Sequence, residues 1–249
     1  MTTGEPVIQL EGVVYQVNGK AVLRGVDLAV EPAQIVAVLG ESGIGKSTLL
    51  RLVMGLIRPT GGSVRIFGRE INDLRERELN ELRKRMGMVF QGAALFDSMT
   101  VAENVAFALR QHTRLPEAEV RQRVKEKLSL VGLTGVEDLM PAELSGGMQK
   151  RVGIARAIAL NPEIMLYDEP TGGLDPPRAE EIEQLIGDLS RHLGVASLWV
   201  SHDVVAVLRQ ADRVALLDDG RIAAFASPQQ IRSSENDVVR RFIASGVRA

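Results

Sequence analysis

One segment constrains this chain more than any other: Gly40-Glu41-Ser42-Gly43-Ile44-Gly45-Lys46-Ser47. It fits the pattern G-x-x-x-x-G-K-[ST]. A continuous apolar run, Ile35-Val36-Ala37-Val38-Leu39, precedes it, and a helical pattern, Ser47 to Leu56, follows it. An unbroken apolar run of this kind is a strand buried on both faces, as in a parallel sheet. Strand, glycine loop and helix are the context that gives the pattern meaning. The glycines let several backbone N–H groups turn inward toward a phosphate, and the helix adds its positive end. Lys46 is then expected to reach the β- and γ-phosphates of a nucleotide, and the Ser47 hydroxyl to ligate Mg²⁺. The bland alternative, a glycine-rich turn with a surface lysine, does not explain the flanking strand and helix.

Around this loop the chain alternates strands and helices. Val7 to Leu10, Val13 to Val17 and Leu23 to Val30 alternate in polarity and predict a small antiparallel sheet, with a hairpin turn at Asn18-Gly19-Lys20. Pro59-Thr60-Gly61-Gly62 reads as a turn and Ser63 to Phe67 as a short strand, while the charged stretch 69–85 predicts a helix with a solvated face. From about 99 to 160 the pattern is helical, broken near Pro116, Gly132 and Pro141. Ile164 to Tyr167, Ala196 to Val200 and Val214 to Leu217 read as strands, with helices at Arg178 to Leu193 and about Asp237 to Ser245. The expectation is an α/β core interrupted by a helical block.

Two further loops carry chemistry. Asp168-Glu169-Pro170 follows the buried run Ile164 to Tyr167. A carboxylate at the end of a core strand is where a nucleotide's Mg²⁺ sits, so Asp168 is the expected metal ligand. Glu169, one residue on, points elsewhere and can act as general base on an attacking water. Alone, the pair would read as two acids opening a surface loop; the phosphate loop changes that. Leu144-Ser145-Gly146-Gly147-Met148 precedes an apolar-periodic helix, Gln149 to Leu160. Ser-Gly-Gly at a helix start is a second anion site, or more simply a serine N-cap with a tight turn. Two such helix starts but a single lysine-bearing loop suggest a shared arrangement. Two copies face each other head to tail around two ATP, a closed two-fold dimer.

Composition narrows the field. The 249 residues are 45% hydrophobic and 25% charged, ordinary for a globular protein. Thirty basic against 32 acidic residues argue against a nucleic-acid partner. The absence of cysteine excludes thiol catalysis and disulfides, and three histidines leave little for a metal cage. Apolar runs reach about five residues where a membrane helix needs roughly 20. Residues 1–12 lack the pattern of a secretion signal, so the expected location is cytosolic or on a membrane through a partner.

With these motifs in hand, the chain resembles the ATP-binding subunit of ABC transporters over essentially its whole length. The Ser-Gly-Gly motif, Leu144 to Met148, is similar to that family's signature motif. The resemblance implies a P-loop NTPase (RecA-like) core with an N-terminal antiparallel β subdomain and an inserted α-helical subdomain. As a single domain spanning 1–249, it would have its core at about 1–91 and 156–249 and its helical part at about 92–155. It implies nucleotide contacts along the phosphate loop from Gly40 to Ser47 and on to Thr48, with Ser145, Gly146 and Gly147 covering the γ-phosphate from the second copy. Tyr15, 25 residues before Gly40, falls where the family stacks an aromatic on adenine. Gln91, after Met88-Val89-Phe90, matches the glutamine that senses Mg²⁺ and water and links to the membrane partner. Asp175, in Gly173-Leu174-Asp175-Pro176, matches an aspartate that communicates across the dimer, and His202 the switch histidine on the γ-phosphate. Glu169, His202, Lys46 and Gln91 are the implied catalytic set; Ser47, Gln91 and Asp168 are the implied Mg²⁺ ligands.

Within the family, Arg83 to Phe96, Ala108 to Pro116, Leu139 to Glu143 and Asp237 to Phe242 resemble the branch serving MCE-type lipid transport, the Mla-like systems that move phospholipid between bacterial inner and outer membranes. That implies membrane permease subunits, an MCE-domain protein and a small STAS-domain subunit as partners, on the cytoplasmic side of the inner membrane. A permease helix would dock near Gln91, around residues 85–110. Thr171-Gly172-Gly173-Leu174 departs from some Mla ATPases and follows the general importer pattern. The alternative is an ABC ATPase without a permease, as in iron–sulfur cluster assembly. A nucleotide sensor that does not hydrolyse ATP is disfavoured by the presence of both Glu169 and His202.

Overall fold

The structure is a computed structural model and describes residues 5–246. The chain forms two compact units, Met1–Arg83 with Gly194–Ala249, and Lys84–Leu193.

The first unit holds two sheets. In the antiparallel one, β1 (Ile8–Val17) pairs with β2 (Lys20–Val30) on one side and with β4 (Gly61–Ile66) on the other. The two short apolar runs of the sequence are therefore one strand. A bulge at Glu11-Gly12, where Gly12 takes φ 56°, shifts its register between Leu10 and Val13. The chain reverses through Asn18 and Gly19, both left-handed at φ 50° and 76°, the geometry a tight hairpin requires. In the other sheet β3 (Ile35–Leu39) lies between β8 (Ala196–Ser201) and β9 (Arg213–Asp218), parallel to both. Every residue of β3 is buried, which its unbroken apolar run required. An antiparallel edge strand, β10 (Arg221–Ala226), closes that side.

Helix α1 (Lys46–Val53) buries Leu49, Leu50, Leu52 and Val53, each worth about 1.5–3 kcal/mol relative to exposure. It ends short of Leu56: the chain turns left-handed at Gly55, and Leu56 N–H donates to the Arg51 carbonyl at 2.9 Å. The stretch 69–85 is not helical throughout. Phe67 and Gly68, both left-handed, fold Arg69–Glu70 back on β4 as the short strand β5. Helix α2 occupies only Glu76–Arg83. Short helices α7 (Val204–Gln210) and α8 (Pro228–Arg232), and strand β10, lie outside the elements that the sequence pattern predicts. The terminal helix α9 (Asp237–Gly246) buries Val239 against its own chain.

The second unit packs helices beside two parallel strands, β6 (Met86–Val89) and β7 (Ile164–Asp168). Helices α3 (Val101–His112), α4 (Glu117–Leu130) and α5 (Gly146–Ala157) bury Val105, Leu109, Val120, Val124, Leu128, Val152 and Ile154. Thr100 and Glu103 form a capping box at the start of α3. Asn104, fully buried, ties down the loop before that helix. It accepts Phe96 N–H at 2.8 Å, and its amide nitrogen faces the carbonyls of Phe96, Met99 and Thr100 at 3.0–3.1 Å. Helix α6 (Pro176–Leu193) completes the unit.

Candidate functional site

In the first unit, the loop Gly40 to Gly45 runs from the end of β3 into α1. Gly45 is the N-cap at φ 116°, a conformation closed to other residues, and a Cβ there would lie 3.1 Å from Val22 Cγ1. Lys46 is buried at 4% exposure, and its ammonium donates to the Gly40 carbonyl at 2.8 Å and the Glu41 carbonyl at 3.0 Å. A cation is thus held over the loop whose first-turn N–H groups, from Lys46 to Thr48, begin the helix, while Leu49 N–H donates to the Gly45 carbonyl at 3.0 Å. Dipole, N–H groups and ammonium together make a site for a polyanion. Ser47 and Thr48 are half-buried on the first turn of α1, while Glu41, Ser42 and Gly43 are exposed. Tyr15 is half-buried on β1, opposite Leu23. His202 is exposed immediately after β8, and Asp203 beside it caps α7 by accepting Ala206 N–H at 3.0 Å.

In the second unit, Asp168 is the last residue of β7 and Glu169 opens the turn after it. Glu169 adopts φ 44°, left-handed and uncommon for a residue with a side chain. Gly172 N–H donates back to the Glu169 carbonyl at 3.0 Å and closes the turn. A Cβ at Gly172 would stand 3.0 Å from Gln91 Nε2 and 3.1 Å from its Cγ. The fold thus brings Gln91 against the Glu169 turn from 81 residues away along the chain. Asp175 accepts Arg178 N–H at 3.2 Å, so in this chain it caps α6. Ser145 likewise caps α5, accepting Met148 N–H at 3.3 Å, with Gly146 exposed beside it and Gly147 half-buried.

Three residues that sequence reasoning missed hold these parts together. Lys150 is 6% exposed, and its ammonium donates to the Gln91 carbonyl. Burial alone pushes that amine below the ordinary lysine value. Arg156 donates to the Ala93 carbonyl at 2.8 Å and the Ala94 carbonyl at 2.6 Å. Gly172 leaves room for the Gln91 side chain. Two cations six residues apart on one helix were visible in the sequence, but not what they grip.

Beside the Gln91 loop lies an apolar surface. Phe96 and Phe107 pack with their rings tilted at 45° and 4.9 Å between centroids, and both are exposed, as is Phe90. A cavity of about 410 Å³ is lined by Ser98, Met99, Glu103, Phe107, Arg110 and Gln111. Val101, on the first turn of α3, is wholly buried and belongs to the core. Among the described residues, no helix is long and apolar enough to cross a membrane.

A family model described as ABC transporter matches residues 23–172. The intermembrane phospholipid transport system ATP-binding protein MlaF of Haemophilus influenzae is 42% identical over 95% of this chain and 90% of its own length. The probable ribonucleotide transport ATP-binding protein mkl of Mycobacterium bovis is 39% identical, covering 97% of this chain and 68% of its own length. Among solved structures, a dimeric post-hydrolysis state of the ATP-binding cassette MJ0796, bound to ADP and Pi, superimposes with a TM-score of 0.80 and 35% identity, covering 89% of this chain and 98% of that one. This chain belongs to the ABC transporter family, as one of its ATP-binding, ATP-hydrolysing subunits.

Proposed function

We propose that this chain powers a phospholipid transporter at the cytoplasmic side of a bacterial inner membrane, working as a pair of copies closed head to tail over two ATP. The observation that carries this reading is the 42% identity with MlaF across 95% of the chain. The relative MJ0796, a dimer bound to ADP and Pi, supports the paired arrangement. Permease subunits are the expected membrane partners, with an MCE-domain protein and a small STAS-domain subunit in the same assembly. The exposed aromatic surface around Phe90, Phe96 and Phe107 suits the docking of a permease helix. The relatives' transport names favour this over an ATPase without a permease. We divide the chain functionally as the sequence suggested, a core at about 1–91 and 156–249 and a helical part at about 92–155.

The chemistry follows from residue types. Lys46 neutralises the β- and γ-phosphates, and Tyr15 stacks on the adenine. The hydroxyl of Ser47, the carboxylate of Asp168 and the amide oxygen of Gln91 are hard oxygen donors of the kind Mg²⁺ takes. When bound, that ion would offset charge on the phosphate oxygens. Glu169 accepts the proton of the attacking water, Gln91 orients that water, and His202 donates to the γ-phosphate. Ser145 and the first N–H groups of α5 in the other copy cover the same phosphate, with Asp175 between the copies.

The test is transfer of fluorescent phospholipid between vesicles by this chain purified in complex with the membrane partner it captures from its native membranes. ATP-dependent transfer is expected. If ribonucleotides rather than phospholipid stimulate ATP turnover, the cargo assignment fails and the ATPase assignment stands.

A further inference from the structure

The Gln91 loop is an unusual piece of backbone. Ala93 and Ala94 are consecutive residues in the left-handed region, at φ 59° and 50°. Neither is glycine, so the conformation is costly and persists only where surroundings impose it. What imposes it is one face of α5. Lys150 binds the Gln91 carbonyl, and Arg156 binds those of Ala93 and Ala94. Between these two cations, a Cβ at Gly153 would stand 3.4 Å from both the Ala93 Cβ and carbonyl oxygen, so helix and loop backbone are in close contact. The Arg156 guanidinium also lies 5.8 Å from the centre of the Phe96 ring, which anchors the far end of the loop. Gly172 gives the Gln91 side chain its seat against the Glu169 turn. The same helix begins at Ser145-Gly146-Gly147.

We infer that Lys150 and Arg156 are positioning residues: through them α5 clamps the Gln91 loop so that the Gln91 amide rests on Gly172, beside the turn that carries Glu169. The inference rests on the proposed role of Gln91 in hydrolysis. It gives the helix headed by the second anion motif a direct mechanical hold on Gln91. A rigid helix gripping three loop carbonyls moves the loop whenever its own first turn is displaced. Engagement of Ser145 by a phosphate and the placement of Gln91 are then one event.

The test uses the full-length chain with Lys150→Met, Lys150→Arg, Gly172→Ala, Gln91→Ala and the Gln91→Ala/Lys150→Met double variant. Two readouts are taken: hydrogen exchange of the 92–96 amides, and kcat and KM for ATP. Lys150→Met is expected to speed exchange of those amides, and to lower kcat, by about tenfold each, with KM changed less than about twofold. Lys150→Arg, which keeps the cation, is expected to restore most of both. In the double variant, loss of Lys150 adds nothing to the loss of Gln91. Unchanged exchange in Lys150→Met, or losses that multiply in the double variant, overturns the clamp. Should Lys150→Met not fold, Gly172→Ala decides. It leaves α5 intact and crowds the Gln91 side chain, and a parental kcat there overturns the inference. Faster exchange in Lys150→Met together with parental turnover in Gln91→Ala supports the clamp and overturns the role of Gln91.

Discussion

Lys46 illustrates how much a single residue can carry. An ammonium at 4% exposure is costly to bury, and the carbonyls of Gly40 and Glu41 offset that cost. The same charge is what the proposed site would use to hold a polyanion. Lys46→Ala is expected to weaken ATP binding by at least about tenfold, measured by fluorescent-nucleotide titration, because a charge-assisted contact is worth about 1.5–3 kcal/mol. Parental affinity in that variant would remove Lys46 from the phosphate site. Glu169 shows the other kind of residue-scale constraint. Its φ of 44° stores strain at the residue proposed as the general base, a pattern that clusters at functional sites.

At the scale of elements, the second unit depends on a few polar ties between segments far apart in sequence. Asn104 fills the space between the start of α3 and the loop from Phe96 to Thr100. Asn104→Ala leaves the part-buried Phe96 N–H and several carbonyls without that partner. A loss of about 2–4 kcal/mol in urea unfolding is expected; a loss below about 1 kcal/mol would mean water replaces the amide. The start of β6 is tied to the start of β7 by Arg85 and Glu163, with contacts of 2.6 and 2.9 Å. The Arg85 guanidinium holds the Glu163 carboxyl below its ordinary value of 4.5. Stability from this pair is therefore present above the unfolded glutamate pKa and is lost as pH falls through the lower folded one. Both side chains are about half exposed, at 44% and 56%, so screening limits the pair to about 0.5 kcal/mol. Glu163→Gln is expected to lower the melting temperature by about 1–2 °C at about pH 7 and by nothing measurable at about pH 3, by calorimetry. A difference that persists at the acid end would assign the effect to packing.

At the scale of the whole molecule, the motifs are divided between two compact units, the lysine loop in one and the Glu169 turn in the other. A machine built this way is expected to respond to ATP as an assembly, with each copy completing the other's site. Glu169→Gln keeps the shape of the side chain but removes the carboxylate proposed as the base. It is expected to accumulate ATP-bound dimers in light scattering while hydrolysis falls by about a hundredfold or more. Dimers that still turn over ATP at the parental rate would move the general base to another residue.

Much of this protein is legible in its sequence alone. The phosphate loop, the Asp168-Glu169 pair and the Ser-Gly-Gly helix start are each contiguous. Their chemistry is made by consecutive backbone N–H groups and by side chains at fixed spacing, so local sequence suffices to define them. The buried strands Ile35–Leu39 and Ala196–Ser201 were legible because full burial forces an unbroken apolar run. The charged stretch 69–85 misled because its left-handed turn at Phe67-Gly68 diverts two residues into a sheet, an outcome settled by Arg69 and Glu70 finding β4. What only tertiary structure decided is who holds Gln91. Lys150 and Gln91 are 59 residues apart, Arg156 and Ala93 are 63 apart, and each side chain meets a backbone carbonyl. A carbonyl has no side-chain identity, so no residue type at the receiving end announces the contact. Only the packing of α5 against the loop selects it.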